Sequence, residues 1–542
     1  MKRPQSWRFP VGSLLIAGGC FLHGSTTATA QAPLPALPSP SPSPVNPDTN
    51  PASTPVSPPA VSVPEAPTAR EAMLEDRINK LESIIKQMQT AGVPGTTTPA
   101  VTPLPPAQNF PRATGGIAPG QGTPPVPLAS DKDAMPAKVP NKTLKGRFGP
   151  GFDFRTEDEE FVLEVHNVTQ VEFRGYQQGG QQPVKDTFDI PREWLMFSGR
   201  LTKPFEYFVS FQSAFDTVLG LDIFGNVHYD DRFQFKFGRY KTPFTYEFYS
   251  LPIQGLIQPE RSLFFNNFAL NREIGATLWG QLFEKKVDYA VSILNEARNG
   301  FLDTNDGKAF TAFANWRPFL DQEDTMFQYL NVGGSVLTSD GVGVVAPLNL
   351  RTNIATSGNL IIGEEFLRFN SNAREAGLRT FWDLHLAWYH KQLSVIAEWQ
   401  SGGSQYALAN NLDQRTRVPI DSFYVQAGYF LTGETVTGRG VVNPIKPFDP
   451  RPDHFGIGAV ELTGRYNYLG IGPQVFTAGL SDPNLWTRTV NMTDLGFNWY
   501  WTQNIKWYFD WQHAEFGQPV VFAPGRLQKN SDTFMARFQI FF

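Results

Sequence analysis

From about Phe161 to Phe542 the chain alternates apolar and polar side chains with a period of two. Between Ile505 and Gln512, for example, Ile505, Trp507, Phe509 and Trp511 share one face, whereas Lys506, Asp510 and Gln512 share the other. Successive strand side chains point to opposite sides, so the pattern marks strands lying between two unlike environments. The last stretch repeats it, with Phe534, Ala536, Phe538, Ile540 and Phe542 opposite Thr533, Arg537 and Gln539. Read this way, the segment holds about sixteen strands, beginning near residues 161, 191, 205, 219, 232, 273, 287, 308, 328, 379, 393, 422, 456, 493, 505 and 532. Tiny connectors are expected after the second, fourth, sixth, tenth and fourteenth strands, and long ones after the fifth, ninth, eleventh, thirteenth and fifteenth. An even strand number with short turns on one rim and long loops on the other suits a bacterial membrane barrel. Gly433 to Phe455 breaks the rule, being long where a short turn is due. Either a strand is missed or miscounted nearby, or that turn carries an insertion.

Alternation leaves one ambiguity, because a soluble β-sandwich shows the same pattern turned inside out. Aromatic residues reach 13%, including 45 Phe, while all hydrophobic residues together stay at 41%. Beyond the leader there is no run of about 18 apolar residues, so helical spans are excluded. A closed barrel is the remaining way to cross a bilayer with every backbone hydrogen bond made. The expected fold is therefore all-β: a transmembrane antiparallel barrel over residues 141–542.

The preceding segments cannot form a core. Residues 1–30 read as a signal peptide, with Lys2, Arg3 and Arg8 before an apolar stretch and Ala28-Thr29-Ala30 at its end. A lipoprotein site at Cys20 is the alternative, although the usual Leu three residues earlier is missing. Residues 31–70 form a Pro-rich linker, and 91–140 a second one rich in Pro, Gly and Thr. Between them, at 71–90, Leu74, Ile78, Leu81, Ile85 and Met88 fall at steps of four and three, a short coiled-coil seam. These segments are expected in the periplasm. Cys20 is the single cysteine, and the seven His are scattered without ligand spacing, so no metal or cofactor is implied. A net charge of −5 speaks against nucleic acid as a partner.

Several motifs then narrow the reading. Gly238-Arg239-Tyr240-Lys241-Thr242-Pro243-Phe244, Gln258-Pro259-Glu260-Arg261-Ser262-Leu263 and Asn271-Arg272-Glu273-Ile274-Gly275 resemble successive blocks of the phosphate-selective porin O and P family. Gly428 to Glu434 and Gly458 to Tyr466 are similar to further blocks, and the chain ends in Phe542 as such barrels commonly do. The resemblance implies a homotrimer of sixteen-stranded barrels in outer-membrane lipid, each narrowed by the loop after its fifth strand. It also implies arginines that attract small anionic solutes such as phosphate. That loop should run from about Thr245 to Asn271, which makes Arg261 and Arg272 the first candidates for the constriction.

Strand parity adds Arg192, Arg200, Lys236, Arg317, Arg465, Lys506 and Arg537 to the lumen. Arginine suits phosphate because its fork of donors makes two parallel bonds and keeps its proton. Glu398, Glu461, Asp383 and Asp510 share those inner faces, so the charges could instead pair across a wet lumen. Three other readings stay open. The barrel could be an anchor whose N-terminal segment contacts the cell wall, an envelope enzyme, or a secreted sandwich. No Ser with an oriented His is apparent in the spacing.

Overall fold

The computed structural model describes residues 142–542 apart from 150, 178–179, 183, 215–216, 297–302, 304–305, 340–344, 354 and 358–359. The expected signal peptide, both linkers and the coiled coil lie outside the described residues. Two short strands, β1 (Leu144–Phe148) and β2 (Phe152–Thr156), come first. Nine barrel strands follow: β3 (Val162–Tyr176), β4 (Thr187–Thr202), β5 (Phe205–Ala214), β6 (Thr217–Asp230), β7 (Phe233–Lys241), β8 (Arg272–Leu282), β9 (Val287–Leu294), β10 (Ala309–Trp316) and β11 (Tyr329–Ser339). The ninth connector carries β12 (Leu350–Arg351), β13 (Ala355–Ser357), β14 (Leu360–Ile362) and β15 (Glu365–Leu367). Seven more complete the sixteen: β16 (Ala373–His390), β17 (Leu393–Leu408), β18 (Asn411–Phe430), β19 (Ala459–Ile471), β20 (Thr489–Thr502), β21 (Ile505–Ala523) and β22 (Arg526–Phe541).

Each barrel strand pairs antiparallel with the next, and β22 closes on β3 from Thr533 opposite Tyr176 to Phe541 opposite Val168. Beyond that seam β2 takes over, with Phe152 opposite Val165. It continues the line of β22 past Phe542, whose backbone exchanges hydrogen bonds of 2.9 and 3.2 Å with Asn167. Gly238 of the first motif sits at φ 132°, where a Cβ would stand 2.3 Å from the Ile223 carbonyl, so glycine lets β7 press against β6.

Outer and inner faces have the polarity of a barrel in lipid. Leu384 is 53% exposed while its neighbour Asp383 is 1% exposed, and Phe534 is 50% exposed while Arg537 is fully buried. Exposed apolar rows around buried charge are stable only where the outer medium is itself apolar. This contradicts the sandwich reading.

The connectors depart from expectation in three places. The eleventh and fifteenth are not long loops, because β18 begins at Asn411 and β22 at Arg526, leaving two residues each. Strands β17, β18, β21 and β22 run 16, 20, 19 and 16 residues, well beyond the roughly 9–11 that span the hydrocarbon. Above the bilayer the outer face meets water instead of lipid, and at Asn411 to Arg415 both faces are exposed, so the alternation fades while the hydrogen-bonded ladder continues. The third departure is the stretch around Gly433. No strand is missed there; residues 431–458 form one long turn on the short-turn rim.

The lumen is not evenly wet. Residues 242–271, between β7 and β8, fold inward and carry helices Tyr246–Tyr249 and Leu263–Phe268. Phe264 and Phe268 pack on Phe381 of β16, with ring centroids 5.2 and 5.9 Å away. Leu350 and Phe366 of the ninth connector belong to the same apolar cluster. One side of the inner wall is thus a dry packing surface for loops, a correction to the uniformly polar interior that alternation predicts.

Candidate functional site

The inward loop after the fifth barrel strand is pinned at its neck. Asn271 O accepts the Thr242 N–H and hydroxyl at 2.9 and 3.0 Å. Glu398 of β17 accepts the N–H groups of Tyr246 and Glu247 at 3.0 and 2.6 Å. Glu247 in turn accepts the Ser262 N–H at 2.9 Å, and Ser262 Oγ caps the second helix by accepting from Phe265 N–H. Glu398 therefore ties the first helix of the loop to the wall, and Glu247 ties the second helix to the first.

The rest of the loop crosses the lumen with its carbonyls facing donors. Gly255 O accepts Arg439 Nε at 2.9 Å, Leu256 O accepts Lys506 Nζ at 2.8 Å, and Ile257 O accepts Asn498 Nδ2 at 2.9 Å. Pro259 O then accepts Arg537 Nη1 at 2.5 Å, and Glu260 O accepts Arg465 Nη1 at 2.7 Å. An irregular segment buried inside a barrel must have its carbonyls satisfied. Here cationic side chains supply most of those donors.

This placement redistributes the nine residues singled out from sequence. Arg465 also binds Asp494 at 3.0 Å, and Arg537 binds both Glu172 and Glu260, so with Lys506 they hold the loop rather than standing open as a ladder. Arg192 faces inward and meets Glu260 at 2.7 Å. Arg272 is the first residue of β8, pairs with Asp222 at 2.9 Å and lies over the Trp194 ring at 5.2 Å. Arg317 lies one residue past β10, at the short-turn rim, paired with Asp288 at 2.8 Å. Arg200 stands opposite Glu206 across β4 and β5. Among the described residues neither Arg200 nor Lys236 is in an ion pair.

Arg261 is buried yet forms no ion pair among the described residues, and its Nε has no hydrogen-bond partner. Its guanidinium lies 5.1 and 5.3 Å from the Phe248 and Phe265 ring centroids, a cation–π arrangement. Burial, reinforced by the like charges of Arg192 and Arg272 against the pull of Glu247, pushes its pKa down to about 10. It stays charged at neutral pH. Burial works against ionisation of its neighbour Glu260, but Arg192, Arg537 and Arg174 outweigh it and hold that carboxyl below the usual range.

Sequence reasoning missed several contributors, Glu247 among them. Lys241, the last residue of β7, donates to the Phe248 and Leu251 carbonyls at 3.0 and 3.1 Å. Glu172 and Arg174 pair at 2.6 Å, and Arg174 lies 3.7 Å from Glu260 of the loop. Arg439 arrives on the long turn 431–458, and the anomalous length of that turn was the one signal that could have found it. Among the described residues no group of three His, Cys, Asp or Glu could hold a metal ion.

On the short-turn side of the loop the lumen opens into a chamber of about 830 Å³. Lys236, Lys241, Lys285, Arg317 and Arg439 line it, against two acidic residues, Asp222 and Asp288.

A sixteen-stranded barrel with an inward loop after its fifth strand is a channel architecture. The family described as phosphate-selective porin O and P matches residues 166–515. The chain belongs to that family. It is thus an outer-membrane porin, and its short-turn rim is periplasmic. A protein of Caulobacter vibrioides (strain ATCC 19089 / CIP 103742 / CB 15), described as uncharacterized, is 33% identical over 92 residues, 16% of this porin and 18% of that relative. Among solved structures, OmpF of Salmonella typhi in complex with daunomycin is 11% identical with a TM-score of 0.44, covering 73% of this porin and 100% of that chain. OprB of Pseudomonas putida is 12% identical with a TM-score of 0.44, covering 70% and 94%. Outer-membrane expressed OmpT of Vibrio cholerae is 8% identical with a TM-score of 0.41, covering 71% and 98%.

Proposed function

We propose that this porin is a diffusion channel for small anionic solutes of the phosphate type, working as a homotrimer in the outer membrane after export by its signal peptide. The observation that carries the anion preference is the charge of the wall facing open space. Of the five cationic residues that line the chamber, Lys285, Arg317 and Arg439 are paired with Asp231, Asp288 and Glu461, while Lys236 and Lys241 face it with no carboxylate at ion-pair distance among the described residues. Walls of low dielectric strengthen such a field and raise the local concentration of counter-ions. Arg261 supports the same reading from the loop itself, as a buried cation without an acidic partner. Arg192, Arg272 and Arg317 add positive charge that their paired carboxylates offset, and Arg465, Lys506 and Arg537 serve mainly to fix the loop across the lumen.

The test is single-channel recording in planar bilayers under a KCl gradient. A reversal potential on the chloride side is expected, whereas reversal on the potassium side would overturn the anion reading. Phosphate added to a chloride solution should reduce the current at millimolar levels or below. Migration of the unheated detergent-extracted protein at three times its heated mass would bear out the trimer.

A further inference from the structure

We propose that the periplasmic chamber is a binding site for organic anions with a planar aromatic body, aromatic carboxylates above all. The proposal rests on the anion-channel reading and names the class of solute that such a channel would select. The chamber, about 830 Å³, falls within the roughly 300–1,000 Å³ of sites that enclose small organic ligands. It is far larger than a single inorganic anion.

Its wall is also of the wrong character for an inorganic anion alone. Ten of the lining residues are aromatic. The ammonium of Lys236 sits among ring faces, 4.7 Å from the Trp279 centroid, 4.8 Å from Phe224 and 5.4 Å from Tyr240. Phe224 stacks in turn on Phe208 at 5.6 Å with the ring planes 5° apart. These side chains stand on neighbouring strands in fixed register, Phe208 opposite Phe224 on β5 and β6, so the surface is formed before any ligand arrives.

Lys236 has exchanged part of its water for π-faces, and among the described residues no carboxylate pairs with it, Asp222 and Glu206 acting on it only from beyond ion-pair distance. A carboxylate at Nζ with a flat ring against Trp279 would supply the missing counter-charge and cover the aromatic wall in one step. Ring against ring in offset or edge-on contact adds about 0.5–1.5 kcal/mol beyond simple burial. Phosphate could satisfy only the charge.

The experiment compares block of chloride current through the full-length porin by benzoate and by cyclohexanecarboxylate, which carries the same charge on a puckered, non-aromatic ring. Benzoate is expected to half-block at a concentration roughly five- to tenfold lower. In W279L the two acids should come within about twofold of each other, with heat-modifiable gel migration verifying that the variant barrel is folded. Equal block by the two acids in a wild-type channel that reverses on the chloride side would overturn this proposal and leave the anion reading standing. Reversal on the potassium side would remove the anion reading first, and this one with it.

Discussion

Arg439 reaches Glu461 with Nη1 and Oε1 2.6 Å apart, the two side chains 1% and 0% exposed, and the same guanidinium donates through Nε to the Gly255 carbonyl. A periplasmic turn thus enters the lumen and grips the inward loop through an ion pair seated on β19. Removing one partner of a buried pair leaves the other charge uncompensated, at a cost of about 3–5 kcal/mol. R439A should therefore lower the urea midpoint of the folded porin in detergent and increase flicker in open-channel current. A variant with unchanged midpoint and quiet current would show that the turn only fills space.

R261Q tests the unpaired cation on the loop. At about 4 Å a unit charge is worth about 1 kcal/mol to a passing anion even at the dielectric of water, so chloride preference should fall roughly fivefold. Reversal potentials measure this directly. R465Q should behave differently, because Arg465 holds the Glu260 carbonyl and Asp494. Its expected effect is on loop order and conductance noise.

Glu364, in the ninth connector, offers a pH dependence. Its carboxylate accepts the Gln181 N–H at 3.1 Å and the Ser531 hydroxyl. Burial pushes its pKa up to about 7, with Asp532 adding to the rise and Arg526 opposing it. An undocked Glu titrates near ~4.3, so between these values the docked connector keeps a proton that the undocked one has released. Docking is at full strength below the lower value, weakens as pH rises toward 7, and stays weakened above it, by on the order of 3 kcal/mol. Protease nicking within residues 340–372 should be slow at pH 5 and faster at pH 8. E364Q should flatten that difference; a wild-type profile already flat would count against it.

L384R places a charge on the lipid side of β16. Near the bilayer midplane this costs about 2–4 kcal/mol, so folding into lipid vesicles should fall, read from the heat-modifiable band on gels. Equal folding of wild type and variant would mean that this face does not meet hydrocarbon.

The barrel was legible because lipid on one side and polar groups on the other impose a period of two on every membrane crossing. Most strand starts that the alternation marks lie within a few residues of the observed ones. The misses have physical reasons. Asn411 to Arg417 and the ends of β21 and β22 form strand above the bilayer, where nothing enforces alternation, so they read as loop. Parity puts Arg465, Lys506 and Arg537 on the inner face, but it cannot show what a side chain meets there. That they hold carbonyls of residues 256–260 depends on a loop more than 200 positions away. The long turn around Arg439 was visible as an irregularity in connector length, though its destination was not.

The joint between β3 and β22 has a consequence for how the molecule comes into being. Its partners stand at opposite ends of the folded chain, with Tyr176 waiting for Thr533, and β3 must also leave its first residues free for β2. Every adjacent hairpin can zip up as soon as it is delivered, but the ring stays open, with two raw edges, until the final segment arrives. A chain truncated within β22 would therefore lose the closed ring as a whole, not one-sixteenth of it.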